Sequence, residues 1–309
     1  MSERTGIAER KLVAFMGLGA SKNFDWKQRY GLANEHNAKT PRDHWLTEDE
    51  TKAIVAYAEA HPLEGYRRLT YMMMDANIVA VSPTTTYRVM KQAGLLRRWN
   101  GTPSRKGTGF VQPLKPHEHW HVDIAYRNLG GTFFYLMTVL DGASRAVLHW
   151  EIRESMRTSD VELVLQVARE LYPNARPRII SDNGPQFIAK DFKEFVRLSG
   201  MTHVRTSPYY LQSNGKLERF HKTIKSEGIR PMTPLTLEDA RKVVGEFIRR
   251  YNEERLHSGI GYVTPKTRIE GRHEAVFVER DRKLDEAGQR RAGLRAMARR
   301  AATELQSVA

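Results

Sequence analysis

Residues 121–152 read HVDIAYRNLGGTFFYLMTVLDGASRAVLHWEI, and this stretch decides the fold. Three segments in it, 121–127, 133–140 and 145–152, are rich in β-branched and aromatic residues. Gly130-Gly131 and Asp141-Gly142 stand between them as turns, so the stretch predicts an antiparallel meander. Downstream the apolar period lengthens. Residues 158–172, with Val161, Leu163, Val164, Leu165 and Val167, predict a helix, and 178–181 a short buried strand. Residues 189–198 predict a helix and 201–206 a strand, and a last helix opens near Gln212. A meander followed by alternating helices and strands indicates an α/β layered domain with a mixed sheet.

Upstream the punctuation is helical. Thr47 and Glu50 make a T-x-x-E capping box ahead of Ile54, Val55 and Tyr57, and Pro62 ends that helix. Residues 65–76 form a second helix, and a third starts at the N-cap Ser82 with Pro83 in first position and stops at Gly94. Three helices with a short turn before the third suggest a helix-turn-helix. The third helix then presents Thr84, Thr85, Arg88 and Lys91 outward and Val89 and Met90 inward, a set suited to base edges and phosphates. An ordinary helical bundle with a cationic face is the alternative.

From Arg88 to His117 the chain has no acidic residue, while Arg97, Arg98, Arg105, Lys106 and Lys115 fall there. Its middle, WNGTPSRKGTG at 99–109, reads as a flexible basic connector. The expected organisation is a helical segment over 1–42, the helix-turn-helix over 43–98 and a linker over 99–114. An α/β layered domain over 115–275 follows, then a basic helical tail over 276–309 that carries Arg290, Arg291, Arg295, Arg299 and Arg300.

Across 309 residues, 50 Lys and Arg against 36 Asp and Glu leave a net charge of +14, which points to a polyanionic partner. The absence of cysteine excludes disulfides, a thiol nucleophile and Cys-based metal sites. No apolar run approaches the ~18 residues of a membrane span. LVAFMGLGA is followed at once by SKNFDWKQR, which does not read as a secretory signal.

Three carboxylates stand at places that could carry chemistry. Asp123 is mid-strand, where a buried carboxylate needs a partner or a metal; a strand-end group facing water is the plain alternative. Asp182 follows RIIS and opens D-N-G, which is otherwise a turn. Glu218 lies on the helix after Gln212, in a polar stripe with His221, Lys222 and Lys225; the opposite stripe is Leu217, Phe220 and Ile224. In-line attack on a phosphodiester uses two hard cations roughly 3.5–4 Å apart, held by carboxylate oxygens and completed by water and phosphate. Two strand aspartates and a helix glutamate suffice for that. The eleven histidines show no H-E-x-x-H spacing.

Asp123, Asp182 and Glu218, with thirty-five residues between the last two, resemble the D,D(35)E signature of retroviral integrases and bacterial insertion-sequence transposases. The surrounding words are similar to those families too: W-H-V-D-I at 120–124, L-D-G-A-S-R at 140–145, I-S-D-N-G-P-Q-F at 180–187, and S-P-Y-Y-L-Q-S-N-G-K-L-E-R at 207–219. Y-N-E-E-R-L-H at 251–257 and Thr264-Pro265 resemble the end of that core, and G-Y-R-R-L-T at 65–70 the helix-turn-helix before it. Leu211 departs from the proline of many relatives, which reads as subgroup variation.

The resemblance implies an RNase H-like mixed five-stranded sheet flanked by helices, preceded by an all-α helix-turn-helix domain. It implies Asp123, Asp182 and Glu218 as catalytic metal ligands for two Mg²⁺ (or Mn²⁺) ions. It implies cleavage at element ends and strand transfer by the freed 3′-hydroxyl, without a covalent protein intermediate, so neither Ser144 nor Ser181 is expected as a nucleophile. Asn183 and Gln212 become helpers at the site, and Lys222 and Lys225 phosphate contacts. Partners would be element terminal repeats and target DNA, further copies of the chain as a homo-oligomer on DNA, and in some relatives a segment from an upstream reading frame. No membrane is involved, and the place of action is the bacterial cytoplasm at the nucleoid. A nuclease of the same fold without strand transfer, and an inactive DNA-binding repressor, stay open as alternatives.

Overall fold

The computed structural model describes residues 6–28, 30, 45–96, 112–129, 132–205 and 215–308. The chain divides into two units, one of Met1–Leu46 with Gly288–Ala309, the other of Thr47–Ala287. In the first, α1 (Glu9–Phe15) and α2 (Ala20–Gln28) are tied by Asn23 and Lys27, which both donate to the Glu9 carboxylate.

The second unit opens with α3 (Glu48–Ala60), α4 (Tyr66–Asp75) and α5 (Pro83–Gln92). The capping box forms as expected: Glu50 N donates to Thr47 Oγ1 at 3.2 Å and Thr47 N to the Glu50 carboxylate at 3.0 Å. Ser82 caps α5 and Pro83 takes its first turn, where a missing N–H costs nothing. Ile54, Leu69, Met73, Val89 and Met90 are buried, and the Thr70 hydroxyl donates to Thr86 Oγ1 at 2.8 Å across the α4–α5 contact.

The sheet contains β1 (His119–Leu129), β2 (Thr132–Asp141), β3 (Val147–Arg153), β4 (Arg178–Ser181) and β5 (Thr202–Arg205), in the order β3-β2-β1-β4-β5. The first three strands are the antiparallel meander, and β4 and β5 run parallel to β1. This is the mixed five-stranded sheet flanked by helices that was expected. The third strand begins at Val147 rather than at 145, because Arg145 sits in the turn at φ +66°, outside the β region. The Gly130-Gly131 turn lies outside the described residues.

Alternation along the strands makes two cores. Trp120, Val122, Met137, Val139 and Ile179 pack with α6 (Thr158–Leu171) and with α7 (Pro185–Ile188) and α8 (Lys190–Leu198). Phe134, Leu136, Leu140 and Ile152 face the other way, onto α9 (Gly215–Thr223) and α10 (Leu237–Glu253). After Thr223 the helix widens into a π turn, Ile224–Ile229. The chain closes with α11 (Pro265–Ile269) and α12 (His273–Val308). Among the described residues, no helix is long and apolar enough to cross a membrane.

Candidate active site

The ladder between β1 and β4 pairs His119 with Arg178, Trp120 with Ile179 and His121 with Ile180. Extending that register by two residues brings Asp182, just past the end of β4, level with Asp123, whose charge acts on it. Trp120 and Val122 bury toward α6, so by the period of two Asp123 faces the layer of α9. There His221 Nδ1 stands 3.3 Å from Asp123 Oδ2, while Asp123 Oδ1 accepts from the N–H of Ile124 at 2.9 Å.

Asp182 is the turn residue its D-N-G context predicts and also a neighbour of Asp123. Its Oδ1 accepts from Gly184 N at 2.9 Å. A Cβ at position 184 would fall 2.8 Å from Gln186 Oε1 and 3.1 Å from Asp182 Oδ1, so a side chain there would push the Gln186 amide aside and crowd the Asp182 carboxylate. Burial pushes the Asp182 carboxyl up; the Gly184 N–H works against this, and the charge of Asp123 pushes it up further. The two carboxylates therefore repel one another across the strand gap.

Glu218 is exposed in the first turn of α9, where the helix dipole favours an acid. The apolar stripe behind it is in place: Leu217, Phe220 and Ile224 are buried against the sheet. Among the described residues no three His, Asp or Glu side chains gather closely enough to hold a metal ion. The structure thus brings Asp123 and Asp182 together and leaves Glu218 at the helix surface, one turn before His221.

Of the remaining predicted residues, Lys222 and Lys225 are exposed, Lys222 on α9 and Lys225 in the π turn. Asn183 is exposed beside Asp182. Gln212 lies outside the described residues. On α5, Thr84, Arg88 and Lys91 are exposed; Thr85 is half-buried, its N–H donating to the Ser82 cap. The two serines have structural duties: Ser144 Oγ donates to Asp141 Oδ2 at 2.7 Å, and Ser181, fully buried, donates to the carbonyl of Asp182.

His221 is the neighbour of Asp123 that reading from sequence missed. Its position three residues after Glu218, on the polar stripe, was the available signal. Its Nε2 is buried without a hydrogen-bond partner among the described residues, and so is Thr138 Oγ1, whose residue pairs with Asp123 across β1 and β2. Lys216 was also passed over. Its Nζ donates to the carbonyl of Gly142 at 2.9 Å, and burial, then Arg145 nearby, push its ammonium down to about 7 against the pull of Asp141.

The integrase core domain family matches residues 113–210, and a second family of the same description matches 199–265. The transposase InsD for insertion element IS2A/D/F/H/I/K of Escherichia coli is 28% identical over 219 residues, 66% of this chain and 73% of that protein. The InsD transposase for IS2-9 of E. coli K12 is 28% identical over the same length, with 71% of it covered. Among solved structures, the simian T-cell lymphotropic virus intasome with the PP2A regulatory subunit B56 gamma aligns at TM-score 0.47 and 17% identity, covering 70% of this chain and 74% of that one. The HTLV-2 integrase catalytic core domain in complex with magnesium aligns at TM-score 0.41 and 20% identity, covering 50% and 98%. Ordered motifs, a mixed sheet that sets two of the three acids side by side, and these matches lead to one place: residues 113–265 match the integrase core domain, and the chain is similar to bacterial insertion-sequence transposases.

Proposed function

We propose that the chain cuts DNA at the ends of a mobile element and joins the freed 3′-hydroxyl to target DNA, with Asp123, Asp182 and Glu218 as its metal ligands. The observation that carries this reading is the β1–β4 register that draws Asp123 level with Asp182. The donor chemistry fits a hard divalent ion, Mg²⁺ or Mn²⁺: two carboxylates that repel one another are relieved by a cation between them. Two such ions, when bound, activate the attacking oxygen and stabilise the leaving one.

The chain's own residues do the positioning. Gly184 N–H and Ile124 N–H each hold one carboxylate oxygen, fixing Asp182 and Asp123. Glu218 supplies the third carboxylate from α9. Lys222 and Lys225 offer ammonium groups to DNA phosphate next to it, Asn183 and Gln212 assist at the site, and Thr84, Thr85, Arg88 and Lys91 of α5 reach toward the terminal repeat. The working form is a homo-oligomer on DNA in the bacterial cytoplasm at the nucleoid, since two ends must be brought together.

The test is a strand-transfer assay with the full chain, Mg²⁺ and a duplex ending in the flanking terminal repeat. Glu218→Gln is expected to lower cleavage and joining at least about a hundredfold, a loss of several kcal/mol of transition-state stabilisation, with DNA affinity retained. Cleavage at the unaltered rate by that variant overturns the assignment. Cleavage without joining by the natural chain supports the hydrolytic nuclease instead.

A further inference from the structure

A second basic feature lies at the turn after β2, in L-D-G-A-S-R. Asp141 organises this turn: its carboxylate accepts from the N–H groups of His117, Ala143 and Ser144 and from the Ser144 hydroxyl, at 2.7 to 3.2 Å. All four of these bonds come from neighbours other than Arg145. The Arg145 guanidinium is largely buried, and its Nε has no hydrogen-bond partner among the described residues. Burial works against its charge, Tyr251 and Asp141 favour it, and Arg219 opposes it.

Arg145 lines a cavity of about 430 Å³ together with Gly142, Gly259, Gly261, Arg268 and Phe277. No Asp or Glu lines it. Arg268, half-buried at the rim, makes no side-chain ion pair among the described residues. Two guanidinium groups, neither in an ion pair with a carboxylate among the described residues, therefore share one cavity. A largely buried guanidinium with an unpartnered N–H is costly to keep, and a planar fork of N–H donors matches phosphate oxygens.

We propose that Arg145 and Arg268 form a phosphate clamp that grips the backbone of bound DNA, separate from the carboxylates and from Lys222 and Lys225. The inference rests on the DNA-handling reading above. The ligand chemistry is a phosphate oxygen group, and the source named here is the phosphodiester backbone. The clamp adds affinity for any sequence, since phosphate contacts position DNA and do not read it.

The experiment measures binding of the full chain to a 30-base-pair duplex of unrelated sequence, by fluorescence anisotropy between 50 and 200 mM salt. Arg268→Gln is expected to make the slope of log affinity against log salt less negative by about 0.9, because one phosphate is no longer neutralised and keeps its counterion. The resulting affinity deficit is about threefold greater at the low-salt end than at the high-salt end. Arg268→Lys keeps the slope. Arg145→Gln moves it the same way if its melting temperature shows that it folds. An unchanged slope in Arg268→Gln overturns the proposal, whether the affinity is unchanged or uniformly lower. Inorganic phosphate is the second probe: if millimolar phosphate raises the melting temperature of the natural chain but not of Arg268→Gln, while the DNA slope is unaltered, the cavity takes a small phosphate and the DNA assignment falls. Cleavage of terminal-repeat DNA by the natural chain is scored in parallel. Cleavage with an unchanged slope sinks the clamp alone, and an altered slope without cleavage sinks the transposition chemistry alone.

Discussion

His257, the last letter of Y-N-E-E-R-L-H, shows what a single residue does in this fold. Its Nδ1 accepts from the N–H of Gly259 at 3.1 Å, so the ring must be neutral. Burial, with Arg145, Arg255, Arg68 and Arg219 around it, pushes the ring down to about 4 from 6.5. Between those values the unfolded chain binds more protons than the folded one. The stability it confers is therefore complete above pH 6.5 and lost as pH falls toward 4, by about 3 kcal/mol over the whole window. His257→Asn keeps an acceptor for the Gly259 N–H and removes the titration. Its melting temperature is expected to change less between pH 7 and pH 5 than that of the natural chain, and an equal change would exclude His257 as the source. The neighbouring Asn252 has a comparable structural duty, accepting from Val147 N at 3.0 Å and donating to Val147 O at 2.9 Å, which holds the start of β3. The motif containing both was legible as a family word. The work of Asn252 was not, because its partner Val147 lies on β3, 105 residues away.

At the scale of elements, α9 and the π turn after it set the roll of the helix that carries Glu218. Such turns are rare and concentrate at functional sites. Here the turn brings Gly228 against the ring of Phe247 on α10: a Cβ would stand 3.0 Å from the ring. Gly228→Ala is expected to overpack this contact and cost about 1–3 kcal/mol in chemical denaturation. A stability equal to the natural chain would show that Phe247 has room to move. The apolar stripe Leu217, Phe220, Ile224 was readable from a period of 3.6 and is buried as read. The π turn was not readable, and its Gly228 packs on Phe247, nineteen residues further on. The caps at Thr47 and Ser82 were visible because a cap is a bond between residues three apart.

Over the second unit as a whole, the three-helix region is fastened by a buried arginine. Arg280 of α12 donates to Asp75 at 2.8 and 2.6 Å, donates to the carbonyl of Tyr262 at 2.8 Å, and stacks over Tyr71 with its guanidinium carbon 4.7 Å from the ring centre. Arg68 adds a bond from α4 to the carbonyl of Leu256 at 2.9 Å. Asp75→Ala leaves the Arg280 fork short of its acid and is expected to destabilise the protein by about 1.5–3 kcal/mol, read as a lower melting temperature. An unshifted transition would mean the helices are held by apolar contact alone. The sequence by itself determined the five strands, the helices from Glu48 to Thr223 with the caps at Thr47 and Ser82, the +14 charge and the spacing of the three acids, because each depends on residue type and on spacing along the chain. Tertiary structure alone decided that Asp123 lies level with Asp182, that His221 touches Asp123, and that two arginines 123 positions apart share one cavity. These depend on strand order and register, which bring distant residues within a few ångströms, and no local period encodes them.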